Sequence, residues 1–164
     1  VRPLAVLLLA FPAAAGPLRP GTPRLQLRLE GLFGEPTTRL GARGGAGLGA
    51  AWRLSDQLSF IGDAAQRAAP DGGIGSLALG MQLTLDATPI SPYLELAMAG
   101  LTNRASLGYS LATRFGLGAD WMFSRSTGIG IVVRTYTALN PANDTATPAG
   151  VEGAFRLVLI PGAL

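Results

Sequence analysis

The side chains able to do chemistry in this sequence are few and narrow in type. The chain of 164 residues holds 13 basic residues, all arginine, and 10 acidic residues, with no histidine, cysteine or lysine. Without histidine, Ser-His and Cys-His nucleophile systems cannot be assembled, and without lysine neither can a Ser-Lys system. The lack of cysteine removes disulfides and thiolate chemistry, and with histidine also absent no Cys/His zinc site can form. The glycine-rich stretch GARGGAGLGA, residues 41–50, has the composition of a phosphate loop. A P-loop requires lysine, however, and a dinucleotide loop opens a helix, whereas this segment alternates as a strand does. Paired carboxylates could do acid–base work, but acids facing arginines are more simply read as ion pairs. Asn143 and Asp144 could contribute to a weak cation or glycan site; a solvated loop is the simpler reading. No cofactor, no metal and no enzymatic activity is expected.

The partners of such a chain are bounded by its charge and hydropathy. A net charge of +3, scattered along the sequence, is too weak a signal for nucleic acid. Apolar residues make up 48% and charged residues 14%, and the mean hydropathy is +0.35. Yet no apolar run approaches the roughly 20 residues of a membrane-spanning helix. Such a chain is either an unusually apolar globule or one that meets lipid with strands.

The elements that must position the charges are legible from a period of two. In RLQLRLEG, residues 24–31, Leu25, Leu27 and Leu29 alternate with Gln26, Arg28 and Glu30, so in a strand the two sets lie on opposite faces. The alternation recurs along the chain. The first strand is expected over Arg24–Phe33. A second, over Arg39–Leu54, places Leu48 and Trp52 opposite Arg43 and Arg53. A third, LSFIGDAAQ, is followed by a loop from Gln66 to Gly73. A fourth carries Leu77, Leu79, Met81, Leu83 and Leu85 on one face and is ended by Pro89 and Pro92. A fifth sets Leu94, Leu96 and Met98 opposite Tyr93 and Glu95. The sixth sets Leu111, Phe115, Leu117 and Trp121 opposite Arg114 and Asp120. The seventh sets Ile129, Ile131 and Val133 opposite Arg134 and Tyr136, and the eighth sets Val151, Phe155, Leu157 and Leu159 opposite Glu152 and Arg156. Ser55-Asp56 and Ser124–Thr127 carry turn chemistry. No segment shows a helical period. The expected fold is all-β: an eight-stranded antiparallel up-and-down barrel.

The two faces differ in a way that decides which is inside. One carries Arg28, Arg43, Arg53, Arg114, Arg134 and Arg156 with Glu30, Asp86, Glu95, Asp120 and Glu152, together with most strand glycines. The other is Leu, Ile, Val, Met, Phe and Trp. In a soluble barrel the small residues would accompany the outer, charged face for no steric reason. If the charged face lines a narrow eight-stranded interior, small residues there relieve crowding, and the apolar face meets lipid. The eleven charged residues are then a lumen ion-pair network. Trp52, Trp121 and Phe123, beside turns, are then interfacial aromatics. A hairpin centred near Pro36 or Thr37 would set Glu30 opposite Arg43, and Arg28 would reach toward the eighth strand with its Glu152 and Arg156.

Residues 1–15 read as an export signal: Arg2, an apolar core from Leu4 to Phe11, and Ala13-Ala14-Ala15 as a cleavage pattern. Residues 16–23 read as a lead-in, 24–160 as the barrel and 161–164 as a C-terminal tail.

The stretches GLGAAWRLSDQLS (47–59) and GLGADWMFSRSTGIGI (116–131) each join a glycine-rich strand, an aromatic girdle residue, a short turn and a new strand. In this the chain resembles the small outer-membrane β-barrels of Gram-negative bacteria, the OmpA/OmpX/OmpW-like class. The resemblance covers about residues 24–160. It departs from the class in ending FRLVLIPGAL, with no terminal aromatic residue. It implies a monomer in outer-membrane lipid with a structural, anchoring or envelope-interaction role, in contact with envelope proteins or small solutes. Some barrels of the class are lipid-modifying enzymes or proteases that use a catalytic histidine, which this chain lacks. The alternatives are a narrow channel or small-molecule transporter, and a secreted soluble ligand-binding barrel. Cleavage after Ala15 should leave Gly16 as the first residue of the mature protein. Intact-mass measurement of the membrane-bound form checks this, and residue 1 retained there would refute it.

Overall fold

A computed structural model describes residues 24–35, 44–69, 72–85, 90–103, 108–139 and 149–161. The expected export signal, the lead-in, the loops around Pro36, Pro70, Arg104 and Asn143, and the last three residues of the tail lie outside the described residues.

Eight strands follow one another: β1 (Leu25–Glu35), β2 (Gly44–Arg53), β3 (Leu58–Ala68), β4 (Ile74–Thr84), β5 (Ile90–Asn103), β6 (Gly108–Met122), β7 (Thr127–Ala138) and β8 (Ala149–Leu159). Each pairs antiparallel with the next, and β1 pairs antiparallel with β8, so the sheet closes on itself. Closure leaves no edge strand, and the strand backbones satisfy one another. The pairing is staggered. From Ile90 the paired neighbours run through Trp121, Ile129, Leu157, Leu29, Leu48, Ala64 and Leu77 to Gly100, ten residues further along β5. Such a stagger tilts the strands against the barrel axis, as a closed barrel of this size requires.

The period of two holds through every strand. Leu27, Leu29, Leu48, Leu77, Leu79, Phe115, Leu117, Ile131 and Phe155 are exposed on the outside, whereas Arg28, Glu30, Glu95, Arg114, Arg134, Glu152 and Arg156 are buried within. Among the described strand side chains, every charged one is on the lumen side.

Two segments differ from the expectation. β3 does not stop at Gln66 but runs on to Ala68, opposite Gly44. Its polar composition there resembles a loop, yet alternation persists, with Asp63 and Arg67 inward and Gln66 outward. Pro92 is not a terminator but part of β5, where its carbonyl accepts the Leu85 N–H at 2.8 Å.

At one end β2 joins β3, and β6 joins β7, through short turns built around serine. Ser55 Oγ accepts the Leu58 N–H at 2.9 Å and the Gln57 N–H at 3.3 Å. Ser124 Oγ accepts the Thr127 N–H at 2.9 Å and the Ser126 N–H at 3.2 Å. These hydroxyls supply acceptors that the turn backbone lacks. Ser55→Ala should therefore cost about 1 kcal/mol, and the exposed Ser124→Ala less, because water replaces the lost acceptor only at the latter. Urea unfolding of the folded barrel in lipid vesicles measures both. Equal, negligible effects would count against the turns' role.

Candidate functional site

The site is the interior itself. Glu95, on β5, is wholly buried at its centre and is approached by arginines from four other strands. Arg156 Nη2 donates to Glu95 Oε1 at 2.8 Å, Arg134 Nε to Oε2 at 3.2 Å and Arg28 Nη1 to Oε1 at 3.5 Å; Arg114 Nη2 lies 3.6 Å from Oε2. Glu30, on β1, takes the fork of Arg134, with Nη1 and Nη2 donating at 2.6 and 2.7 Å, and a further bond from Arg156 at 3.0 Å. A bidentate guanidinium contact of this kind fixes orientation as well as distance.

Two smaller groups extend the network. Toward the loop end, Glu152 accepts from Arg67 and, at 3.0 Å, from the Tyr136 hydroxyl; Arg67 also donates to Ser76 Oγ at 2.8 Å. Toward the turn end, Arg28 donates to Gln82, whose amide donates to Thr84 at 2.8 Å. Arg114 binds Asp63, and Asp120 lies 3.6 Å from Arg156, whose guanidinium also stacks over the Tyr93 ring at 4.7 Å. The buried charges among the described residues are five arginines and five carboxylates, so the interior is neutral. Unpaired, any one of them would be costly.

The glycines of this face acquire a specific use. Gly49 stands beside Asp63, Gly130 beside Asp120, Gly118 beside Tyr93 and Gly45 beside Arg67, each pair directly opposite across neighbouring strands. A Cβ at any of the four would run into the facing side chain or the backbone next to it. Gly116 faces both Glu95 and Arg134, where a Cβ would lie 3.1 Å from the Glu95 carboxylate. A large polar side chain on one strand thus occupies the space that its neighbour leaves empty.

Of the sequence-assigned lumen residues, Arg28, Glu30, Glu95, Arg114, Asp120, Arg134, Glu152 and Arg156 meet in this network. Arg53 lies half-buried at the turn end of β2, and Arg43 and Asp86 fall outside the described residues. Two expected pairings are corrected. Glu30 stands opposite Gly47, not residue 43, because the β1–β2 register is displaced from a hairpin centred near Pro36. It pairs instead with Arg156 directly across β8 and with Arg134 beyond. Arg28 crosses the lumen to Gln82 and Glu95 rather than engaging Glu152 or Arg156. Asp63, Arg67, Gln82, Tyr93 and Tyr136 join the network without having been assigned to it. The signal for Asp63 and Arg67 is in the alternation: both keep the inward parity of Ile61, Asp63 within the expected third strand and Arg67 within the segment 66–73 whose polar composition reads as a loop. Trp52, Trp121 and Phe123 point outward beside the two serine turns.

Replacing Glu95 by alanine leaves four buried guanidinium groups short of a counter-charge. A loss of about 3–5 kcal/mol is expected, against less than about 1 kcal/mol for a surface pair. Denaturant titration in vesicles of one composition measures it, and a loss below 1 kcal/mol would mean that the interior is hydrated enough to screen its charges.

Comparison with protein families and with curated sequences finds no match. Solved structures do match. Neisserial surface protein A superposes with a TM-score of 0.60 at 13% identity, covering 83% of this chain and 96% of that one. The N-terminal β-barrel domain of Pseudomonas aeruginosa OprF gives 0.61 at 13% identity, covering 84% and 98%. The outer membrane protein OprG of the same organism gives 0.51 at 14%, covering 84% and 93%. At such identities the likeness concerns the fold. With its closed eight-stranded meander, apolar outside and charged lumen, the chain has the fold of the small outer-membrane β-barrels.

Proposed function

We propose that the chain is an outer-membrane protein of a Gram-negative envelope, exported by residues 1–15, that crosses the bilayer as a monomer and serves as a non-enzymatic anchor or scaffold with a closed lumen. The observation that carries this reading is the division of its two faces. Leu48, Leu117 and Phe155 are 63%, 58% and 66% exposed, while Arg28, Glu95 and Arg156 are at most 2% exposed. Water would reverse that arrangement, whereas hydrocarbon favours it. The network favours a scaffold over a channel, since its arginines and acids are buried and bonded to one another across the lumen. The absence of histidine favours a scaffold over the hydrolytic chemistry of the histidine-dependent barrels.

Three measurements test the reading. Leu117→Arg should destabilise the barrel in vesicles by about 2–4 kcal/mol if residue 117 lies near the bilayer midplane; a soluble barrel would tolerate it. Purified protein in a planar bilayer should pass little steady current, and a large stable conductance would overturn the closed lumen. An exported chain starts in the periplasm, which puts the serine turns there and the loops outside. A cysteine at Asn143 should then label with an impermeant thiol reagent on intact cells, and one at Asp56 should not.

A further inference from the structure

The polar atoms of the lumen are not served evenly along its length. Toward the loop end Arg67, on β3, spans the interior as a strap. Its Nε donates to Glu152 of β8, its Nη1 to Ser76 Oγ of β4 at 2.8 Å and its Nη2 to the Tyr136 hydroxyl of β7 at 3.4 Å. That hydroxyl in turn donates to Glu152 Oε1 at 3.0 Å. Every nitrogen of the Arg67 guanidinium thus has a partner. Beside the strap lie Ile74, Ala99, Leu101 and Ala112, which pack with Tyr136 into one apolar cluster. On the turn side of the strap the arrangement differs. Among the described residues six buried side-chain atoms have no hydrogen-bond partner: Asp120 Oδ1, Arg156 Nε and Nη1, Arg28 Nε, Asp63 Oδ1 and Arg114 Nε. They run from Asp120, near the turn end of β6, to Arg114, which stands across the β6–β7 pair from Tyr136. None belongs to Arg67, Tyr136 or Glu152. Gln26 and Thr84, near the turn ends of β1 and β4, keep 9% and 8% exposure, whereas Arg67 and Glu152 of the strap keep 2% and 1%.

Resting on the closed-lumen reading above, we infer that the lumen is a blind well: water enters it from the turn end and reaches Arg114, and the Arg67 strap with its apolar surround is the seal. A buried donor or acceptor without a partner carries the full cost of its desolvation, and water is a partner small enough to reach such atoms between packed guanidinium groups. The turn end offers a polar entrance in Gln26, Ser59, Thr84 and Asp120. The six atoms are buried in the static arrangement, so water reaches them as these turn-end side chains fluctuate. Asp120 Oδ2 stands 3.6 Å from Arg156 Nη1, a separation that a bridging water closes and a direct hydrogen bond does not. Beyond Arg114 nothing calls for water. The polar atoms of the strap bond one another, and Ile74, Leu101 and Ala112 present only hydrocarbon. The strap is tied at both ends, to Ser76 of β4 and to Glu152 of β8, so it lies across the section at the height where Ala99 and Ala112 would otherwise leave it wide.

Two measurements on the full chain test the well. In the wild-type protein folded in micelles, nuclear Overhauser contacts with water should appear at the methyl groups of Ile61 and Val158, on the turn side, and not at those of Ile74 and Ala112. Any other distribution would overturn the proposal. The second measurement is proton leak, after an external pH step, into vesicles of phosphatidylethanolamine and phosphatidylglycerol that hold a pH-sensitive dye. Wild type should leak at less than about twice the rate of protein-free vesicles. Arg67→Ala with Glu152→Ala removes the strap, keeps buried positive and negative charges equal in number, and should raise the leak at least tenfold. Ile61→Ala with Val158→Ala enlarges the turn side without touching the strap and should stay within twofold of wild type. A tight strap variant, or a turn-side variant that leaks as much, would overturn the seal. Heat-modifiable gel mobility reports insertion of each sample. Where the double strap variant does not insert, Tyr136→Phe, which keeps the ring and removes one tie, should leak at least threefold faster than wild type, and an unchanged rate counts against the seal. A wild type that leaks as fast as the strap variant overturns the closed-lumen reading and the well with it. A tight wild type beside a tight strap variant overturns the well alone.

Discussion

Charge neutrality inside a narrow closed cylinder is the constraint on which the rest depends. Eight strands leave a section only a few side chains wide, and into it the sequence sends arginines and acids from every strand but β4, with Arg53 of β2 half-buried at the turn end. Each must meet an opposite charge across the lumen, because little water reaches there to share the cost. Glu95 shows the outcome: one carboxylate between Arg28, Arg114, Arg134 and Arg156, each of which also touches another acceptor. The glycines follow from the same constraint. A wide guanidinium fork can lie along the wall only if the strand beside it offers no side chain, and the paired positions Gly130–Arg156 and Gly116–Arg134 provide that space.

The network is better understood as a device of arrangement than as a source of stability. Buried ion pairs at best roughly offset their desolvation, while a mispaired charge is expensive. A slip of one residue between two strands would turn every arginine of one of them to the outside and every leucine inward. Matching charges on β1, β5, β7 and β8 therefore make a single register acceptable among many that backbone hydrogen bonding alone would allow. In the outer-membrane reading the outer face supplies no such discrimination, since leucine, isoleucine and valine are interchangeable against hydrocarbon.

Surface relief becomes informative for that reason. On a face where any apolar residue serves, a patch of Gly31, Ala46, Gly75 and Gly100 beside the most exposed leucines is a shape rather than a composition. Elsewhere the outer face fills its own gaps. The Phe33 ring lies over Gly153 and against the Phe155 ring, with centroids 5.4 Å apart, so that glycine is covered by a side chain of the neighbouring strand. Within the patch, Gly75 is likewise covered by the Thr102 side chain, whereas a Cβ on Gly31 would meet nothing within 4 Å.

What the sequence determined by itself is local. Alternation in stretches such as RLQLRLEG assigns each residue to one of two faces, serine turns mark where the chain reverses, and the company of arginine with glycine shows which face is cramped. These are short-range properties, written within ten residues of one another. What only the tertiary structure decided is who meets whom. Glu30 is held by Arg134, 104 positions away, and by Arg156, 126 positions away, and it stands opposite Gly47 rather than at the place a hairpin centred near Pro36 would give it. Arg67 belongs to the lumen although the segment from Gln66 to Gly73 reads as a loop. The reason is the stagger. Each strand pair adds its own offset, the offsets accumulate around eight interfaces to ten residues, and the height of every lumen side chain depends on that sum. A period of two carries no information about it, so partners across the lumen are settled only when the last strand closes on the first.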